Sequence, residues 1–199
     1  MKRKILKFSS SPKSGDFQKV ITLFFLCFIL MTSSVSVTEA QRHEGGGGGG
    51  GHRDPAWHYS RMPARGAFIN RLPNESARIN YGGSFYHFND GLFYRPSRGG
   101  FVVAAPPFGL RIGMLPRGFL SFNVRGLPYY YYCGTYYIHR GREYEVVAPP
   151  LGAVVESLPQ GYDKLNVRGE TFYVVDGVQY RPILRKGEIW YEVIKSHNR

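Results

Sequence analysis

Leu-Pro occurs three times at a spacing of 43 residues, at 72–73, 115–116 and 158–159. The same spacing carries Pro63, Pro106 and Pro149, then Gly66, Gly109 and Gly152, then Asn80, Asn123 and Asn166. It also carries Gly83, Gly126 and Gly169, Gly91, Gly134 and Gly177, and Tyr94, Tyr137 and Tyr180. Agreement in so many columns without a gap marks a duplicated structural unit, so any fold for this chain must be built three times over. The third copy departs only near its end, where 191-YEVI-194 matches 144-YEVV-147 after four extra residues around 184-LRKGEIW-190.

Each copy reads as β structure. In the third, 153-AVVESL-158, 164-KLNVR-168, 171-TFYVV-175, 178-VQYRP-182 and 190-WYEVI-194 are short β-branched and aromatic runs separated by Gly, Pro and Asp. No 3.6-residue periodicity persists long enough for a helix. Three copies are too few to close a propeller of about 4–8 blades. The expectation is an all-β chain of three tandem small β-meander units: residues 62–107, 108–150 and 151–199. A unit of about 43 residues rarely buries enough apolar surface alone, so the units should pack together and are free to share strands.

The residues before the repeats read differently. Lys2, Arg3, Lys4, Lys7, Lys13 and Lys19 precede the apolar run 20-VITLFFLCFILM-31, and small and polar residues lead to 38-TEA-40. This is the order of a secretory signal peptide, residues 1–40, with cleavage expected after Ala40. The apolar run is shorter than the roughly 18–20 residues that span a bilayer, which disfavours a retained anchor and leaves no spanning segment after cleavage. Residues 41–61, with 45-GGGGGGG-51, read as a disordered Gly-rich linker. His43, His52 and His58 lie in it without the spacing of a metal site, and no metal or cofactor is expected.

The repeats resemble an exported bacterial family of unknown function, number 6515 among the domains of unknown function. Its pattern is APPxGAxVxxLPxGYxxxxVxGxxYYxxDGVxYRP, carried here by 148-APPLGAVVESLPQGYDKLNVRGETFYVVDGVQYRP-182. The segments 105-APPFGLRIGMLPRGF-119 and 90-DGLFYRP-96 match in part. The resemblance covers most of the chain after Pro63. It implies β-rich repeats and a secreted or envelope location, in the periplasm or cell envelope of a bacterium, and it supplies no catalytic residues.

One stretch invites a chemical reading: 129-YYYYCGTYY-137. It aligns with 86-YHFNDGLFY-94 and 172-FYVVDGVQY-180, so Cys133 replaces a turn aspartate. A two-residue loop, Cys133-Gly134, gives neither strand face a consistently apolar character. A three-residue loop with a glycine bulge collects Tyr129, Tyr131, Thr135 and Tyr137 on one apolar face. The second register is the expectation, with Tyr130 and Tyr136 outward and Tyr132 and Cys133 at the loop tip. Outward tyrosines then serve inter-repeat packing or stack on a ligand.

Net charge is +12, of which residues 1–40 carry +4, so the mature part carries +8 with 17 Arg and three Lys. The excess falls along the chain, +4 over 41–107, +3 over 108–150 and +1 over 151–199. Such a surface favours anionic polysaccharide, lipid headgroups or other envelope proteins, and export argues against nucleic acid. Candidate binding residues are Tyr130, Tyr132, Cys133 and Tyr136 with Arg125, Arg140, Arg142 and Arg168. A catalytic cysteine needs a positioned base, and His139 falls past the second strand. The reading is a non-enzymatic envelope module; an envelope enzyme or a thiol-dependent activity at Cys133 is the alternative. Spanning strands of about 9–11 residues are absent from the pattern, which disfavours a membrane barrel.

Overall fold

A computed structural model describes residues 54–196. The expected signal peptide, the glycine run and the rest of the linker up to residue 53 lie outside the described residues.

The described body is all-β, and each repeat forms its own five-stranded antiparallel sheet. The first contains β1 (Phe68–Ile69), β2 (Ala77–Tyr81), β3 (Ser84–Asn89), β4 (Leu92–Ser97) and β5 (Gly100–Ala104), in the order β1-β5-β4-β3-β2. The second repeats this order with β6 (Arg111–Ile112), β7 (Leu120–Val124), β8 (Leu127–Tyr132), β9 (Thr135–Arg140) and β10 (Glu143–Val147). The third does so with β11 (Val154–Val155), β12 (Asp163–Val167), β13 (Glu170–Val175), β14 (Val178–Arg185) and β15 (Glu188–Lys195). Each is a four-stranded meander with a short first strand returned to its last one. Among the described residues no strand is shared between repeats; side chains and the connecting segments join them.

The repeat columns explain the return. Gly66 N–H donates to Val103 O and Val103 N–H to Ala67 O, each at 2.9 Å. Gly109 with Val146, and Gly152 with Val193, make the same exchange at 2.8 and 2.9 Å. Val103, Val146 and Val193 are buried, as are Tyr94, Tyr137 and Tyr180. The four extra residues of the third copy lengthen one hairpin: β14 and β15 have 8 residues each, against 6 and 5 for β9 and β10.

The central hairpins differ from the expected register. Tyr132 pairs with Thr135, Tyr131 with Tyr136 and Tyr130 with Tyr137, so the loop is Cys133-Gly134 without a bulge. Both loop residues have positive φ, 43° and 82°, and Asp90-Gly91 (42°, 80°) and Asp176-Gly177 (50°, 81°) repeat the geometry. Positive φ at both positions is the primed turn whose twist suits the flanking strands. Neither face of this hairpin is wet, so alternation does not reveal its register. Tyr131, Tyr132, Cys133, Tyr136 and Tyr137 are all buried, with side chains from both faces enclosed by neighbouring repeats. Thus Tyr136 does not point outward, and Tyr132 and Cys133 are not an exposed tip. Tyr130 is half-buried, edge-on to Tyr144 at 5.3 Å between ring centres.

Residues 54–61 do not continue a linker either. A single 3₁₀ turn at Trp57–Tyr59 begins a strap that crosses the third repeat. Leu158 N–H and Ser157 Oγ donate to Pro55 O, Gln160 Nε2 donates to Tyr59 O, and Arg65 N–H donates to Gln160 O. Buried Tyr59 meets Tyr131 and Tyr132 edge-on, at 6.5 and 5.4 Å.

Candidate functional site

An antiparallel meander sends alternate turns to opposite ends. Asp90-Gly91, Cys133-Gly134 and Asp176-Gly177 lie at one end of their sheets, the inner end. Gly82-Gly83 and Arg98-Gly99, Arg125-Gly126 and Gly141-Arg142, and Arg168-Gly169 and Lys186-Gly187 lie at the other.

The inner ends meet. A methyl group on Gly91 would fall 2.2 Å from the Tyr132 ring and 2.8 Å from Pro116 Cγ, in the second repeat. One on Gly134 would fall 2.9 Å from Pro159 Cγ, in the third. Tyr131 OH donates to Ser157 O at 2.7 Å, and Tyr136 OH to Tyr180 OH at 3.3 Å. Of the two tyrosines expected outward, Tyr136 is therefore inter-repeat packing, whereas Tyr130 meets Phe119 and Tyr144 of its own repeat; burial holds the phenols of Tyr131, Tyr136 and Tyr180 well above their ordinary range.

Arg65 links all three repeats. Its side chain is 7% exposed. Nη1 donates to Ala104 O at 2.8 Å and Nη2 to Cys133 O at 3.0 Å, while Nε lies 3.0 Å from Asp176 Oδ2 without hydrogen-bond alignment. Its repeat column holds Arg65, Phe108 and Leu151, whereas the tip column holds Asp90, Cys133 and Asp176. The two exceptions meet in space: the unique arginine sits where one tip has lost its carboxylate, and it pairs with the carboxylate of the next.

Cys133 is 1% exposed, and burial pushes its thiol up from 9.0 to about 11, against the pull of Arg65 and with the push of Asp176. It is a neutral thiol at physiological pH, the opposite of an activated nucleophile. His139 is exposed beyond it on β9, toward the outer end. Beside the tips lies a cavity of about 350 Å³ lined by Tyr86, Arg95, Pro106, Pro107, Phe108, Thr135, Tyr136, Val146, Val175 and Asp176 among others. Its wall is mixed, with Arg95, Asp176, Thr135 and the tyrosines Tyr86 and Tyr136 among valines and prolines. Thr135 Oγ1 and Tyr137 OH, neighbours on one strand face, are buried without a well-aligned hydrogen-bond partner.

The predicted arginines are elsewhere. Arg125 and Arg168 occupy equivalent outer turns with φ of 51° each, and Arg142 occupies the next outer turn of the second repeat; all three are exposed. Arg140 Nε lies 4.0 Å from Glu145 Oε2, which also takes Arg111 at 2.9 Å. Thus the candidate residues divide: Tyr132, Cys133 and Tyr136 lie in the packed centre, Tyr130 is half-buried on its own sheet, and the arginines are at the periphery. No cluster of metal-ligating side chains occurs among the described residues, and no helix there is long and apolar enough to cross a membrane. The sequence reading missed Arg65, Thr135 and Tyr59; only Arg65 left a signal, as the one charge in an otherwise apolar column.

A model of a family of unknown function (DUF6515) matches residues 52–197. No curated protein matches the chain, and no solved structure does.

Proposed function

Because the chain belongs to this family of unknown function, whose match spans the whole described body, we propose a role from its geometry: a non-enzymatic β-repeat module of the bacterial cell envelope, exported by its leader, that contacts anionic polymer. The observation that carries the reading is the separation of the two ends of each sheet. Tyr131, Tyr132 and Tyr136 are buried in joining the repeats, and Arg125, Arg142 and Arg168 are displayed on turns at the opposite ends. Turns on separate sheets present several weak charge contacts at once, which suits a long polyanion such as an acidic polysaccharide or a surface of anionic lipid headgroups. Other envelope proteins with acidic faces fit the same charge. The buried neutral state of Cys133 supports a structural rather than a thiol-dependent role.

The test is sedimentation with acidic polysaccharide and with anionic vesicles across a salt series. Binding at low salt that weakens as salt rises is expected, since exposed charges are screened over about 10 Å at 0.1 M. Absence of binding at low salt, where attraction is strongest, overturns the reading.

A further inference from the structure

The contact between successive repeats is the same contact made twice. The turn glycine of the first repeat, Gly91, seats on Pro116 of the second. The turn glycine of the second, Gly134, seats on Pro159 of the third. In both cases the Leu-Pro corner is buried: Leu115 and Pro116, then Leu158 and Pro159. Glycine is required there twice over, once for its positive φ and once because a side chain would strike the proline ring.

Two halves of a third such contact remain open. Pro73 is exposed and Leu72 only half-buried, with no tip upon them. Gly177 is exposed, and a methyl group built on it would meet nothing within 4 Å. Its glycine answers the turn alone, yet it keeps the same φ of 81° and the same flanking strands as its two counterparts. Among the described residues, one tip glycine and one Leu-Pro corner are thus left without a counterpart, while Asp176 beside that glycine is held by Arg65.

We propose that the Asp176-Gly177 tip of one copy seats on the Leu72-Pro73 corner of a second copy, continuing the repeat array from chain to chain. The partner is fixed by complementarity: the two open surfaces are the two sides of an interface this sequence already makes twice. Such a contact is heterologous, so each added chain again offers one tip and one corner, and assembly runs head to tail into a ring or an open filament. Repeat arrays depend on their end units being capped, and among the described residues no polar cap covers the Leu72-Pro73 corner or Gly177. This inference does not depend on polyanion binding.

The experiment is light scattering after size exclusion, on the purified full chain over a range of concentrations. The expected result is a mass that grows by whole chains, with self-association weakened about tenfold or more in Pro73→Glu, which places a carboxylate against the Asp176-Gly177 turn. Gly177→Ala, whose methyl group meets nothing within its own chain but would strike a seated corner, should act likewise, and unchanged circular dichroism shows that both variants fold. Leu184→Glu removes a side chain that is 78% exposed near the outer end of β14 and should leave assembly intact. A wild-type chain that stays monomeric throughout overturns the proposal. So does assembly indifferent to Pro73→Glu and Gly177→Ala, or assembly abolished by Leu184→Glu alone.

Discussion

The two ends of the middle sheet have nearly the same backbone and opposite surroundings. Arg125-Gly126 turns with φ of 51° and 80°, and Cys133-Gly134 turns with 43° and 82°. The first is exposed. The second is enclosed, with Cys133 buried against Arg65 and Gly134 against Pro159. Turn chemistry therefore decides the bend and nothing more. In the middle sheet the residue before glycine matches where its end points: arginine in water, a neutral thiol in the packed centre. In this middle sheet a turn residue's environment is set by which end of the meander it occupies rather than by its turn type.

Glycine substitutions separate these two influences most sharply. Gly126→Ala adds a methyl group with open space around it, so only left-handed strain remains, about 1–2 kcal/mol. Gly91→Ala has the same φ of 80° but places the methyl group 2.2 Å from the Tyr132 ring, within the joint between repeats. Overpacking there should add a further 1–3 kcal/mol or so. Denaturant unfolding of the two variants should show Gly91→Ala losing clearly more stability. Equal losses would mean that the joint yields freely and that the inner ends are not tightly packed.

Arg65→Met comes next. It removes the donors to Ala104 O and Cys133 O and leaves the Asp176 carboxylate, 27% exposed, without its cation. Hydrogen bonds from a charged donor contribute roughly 1.5–3 kcal/mol, and part of the Asp176 charge can still reach water, so a total loss of about 2–4 kcal/mol is expected. Arg65→Lys should recover little, because three separate nitrogens hold three separate oxygens on three repeats. Thermal melts should also broaden as the repeats uncouple. Full rescue by lysine would reduce Arg65 to a plain charge and undo its role as the joint.

Much of this fold is legible in the repeat columns, and the reasons for the gaps are specific. Asp-Gly at 90–91 and 176–177 marks two hairpins directly, and the recurrence of glycine at 134 carries the third across the cysteine. Strand positions in the third copy follow from its β-branched runs. The hairpin register did not follow, because alternation reveals a register only where one face stays wet, and Tyr131, Tyr132, Tyr136 and Tyr137 are all enclosed. The strap was missed for another reason. Asp54 to Arg61 occurs once, so no second copy exists to compare, and its short polar sequence beside seven glycines looks like linker. As for the site, each half of the Arg65 joint is visible as an exception in its own column. That the two exceptions touch depends on how the repeats pack, which no column records.

The smallest effect concerns the buried end in alkali. The Cys133 thiol keeps its proton to about pH 11 in the folded protein and to about 9.0 when unfolded. Between those values the unfolded chain has lost a proton that the native one retains, so stability falls as pH rises, by roughly 1.4 kcal/mol per unit. Below pH 9 both states hold the proton and the group contributes no pH dependence. Tyr132, raised by burial to about 12, adds a loss of the same sign at higher pH. Cys133→Ala removes the earlier part of this decline, so urea midpoints of the two proteins should fall in parallel up to about pH 9 and then diverge, the wild type dropping faster. Parallel curves through pH 11 would place the thiol in water. The inner turn would then be no different from the outer one, and the contrast between the two ends of the sheet would disappear.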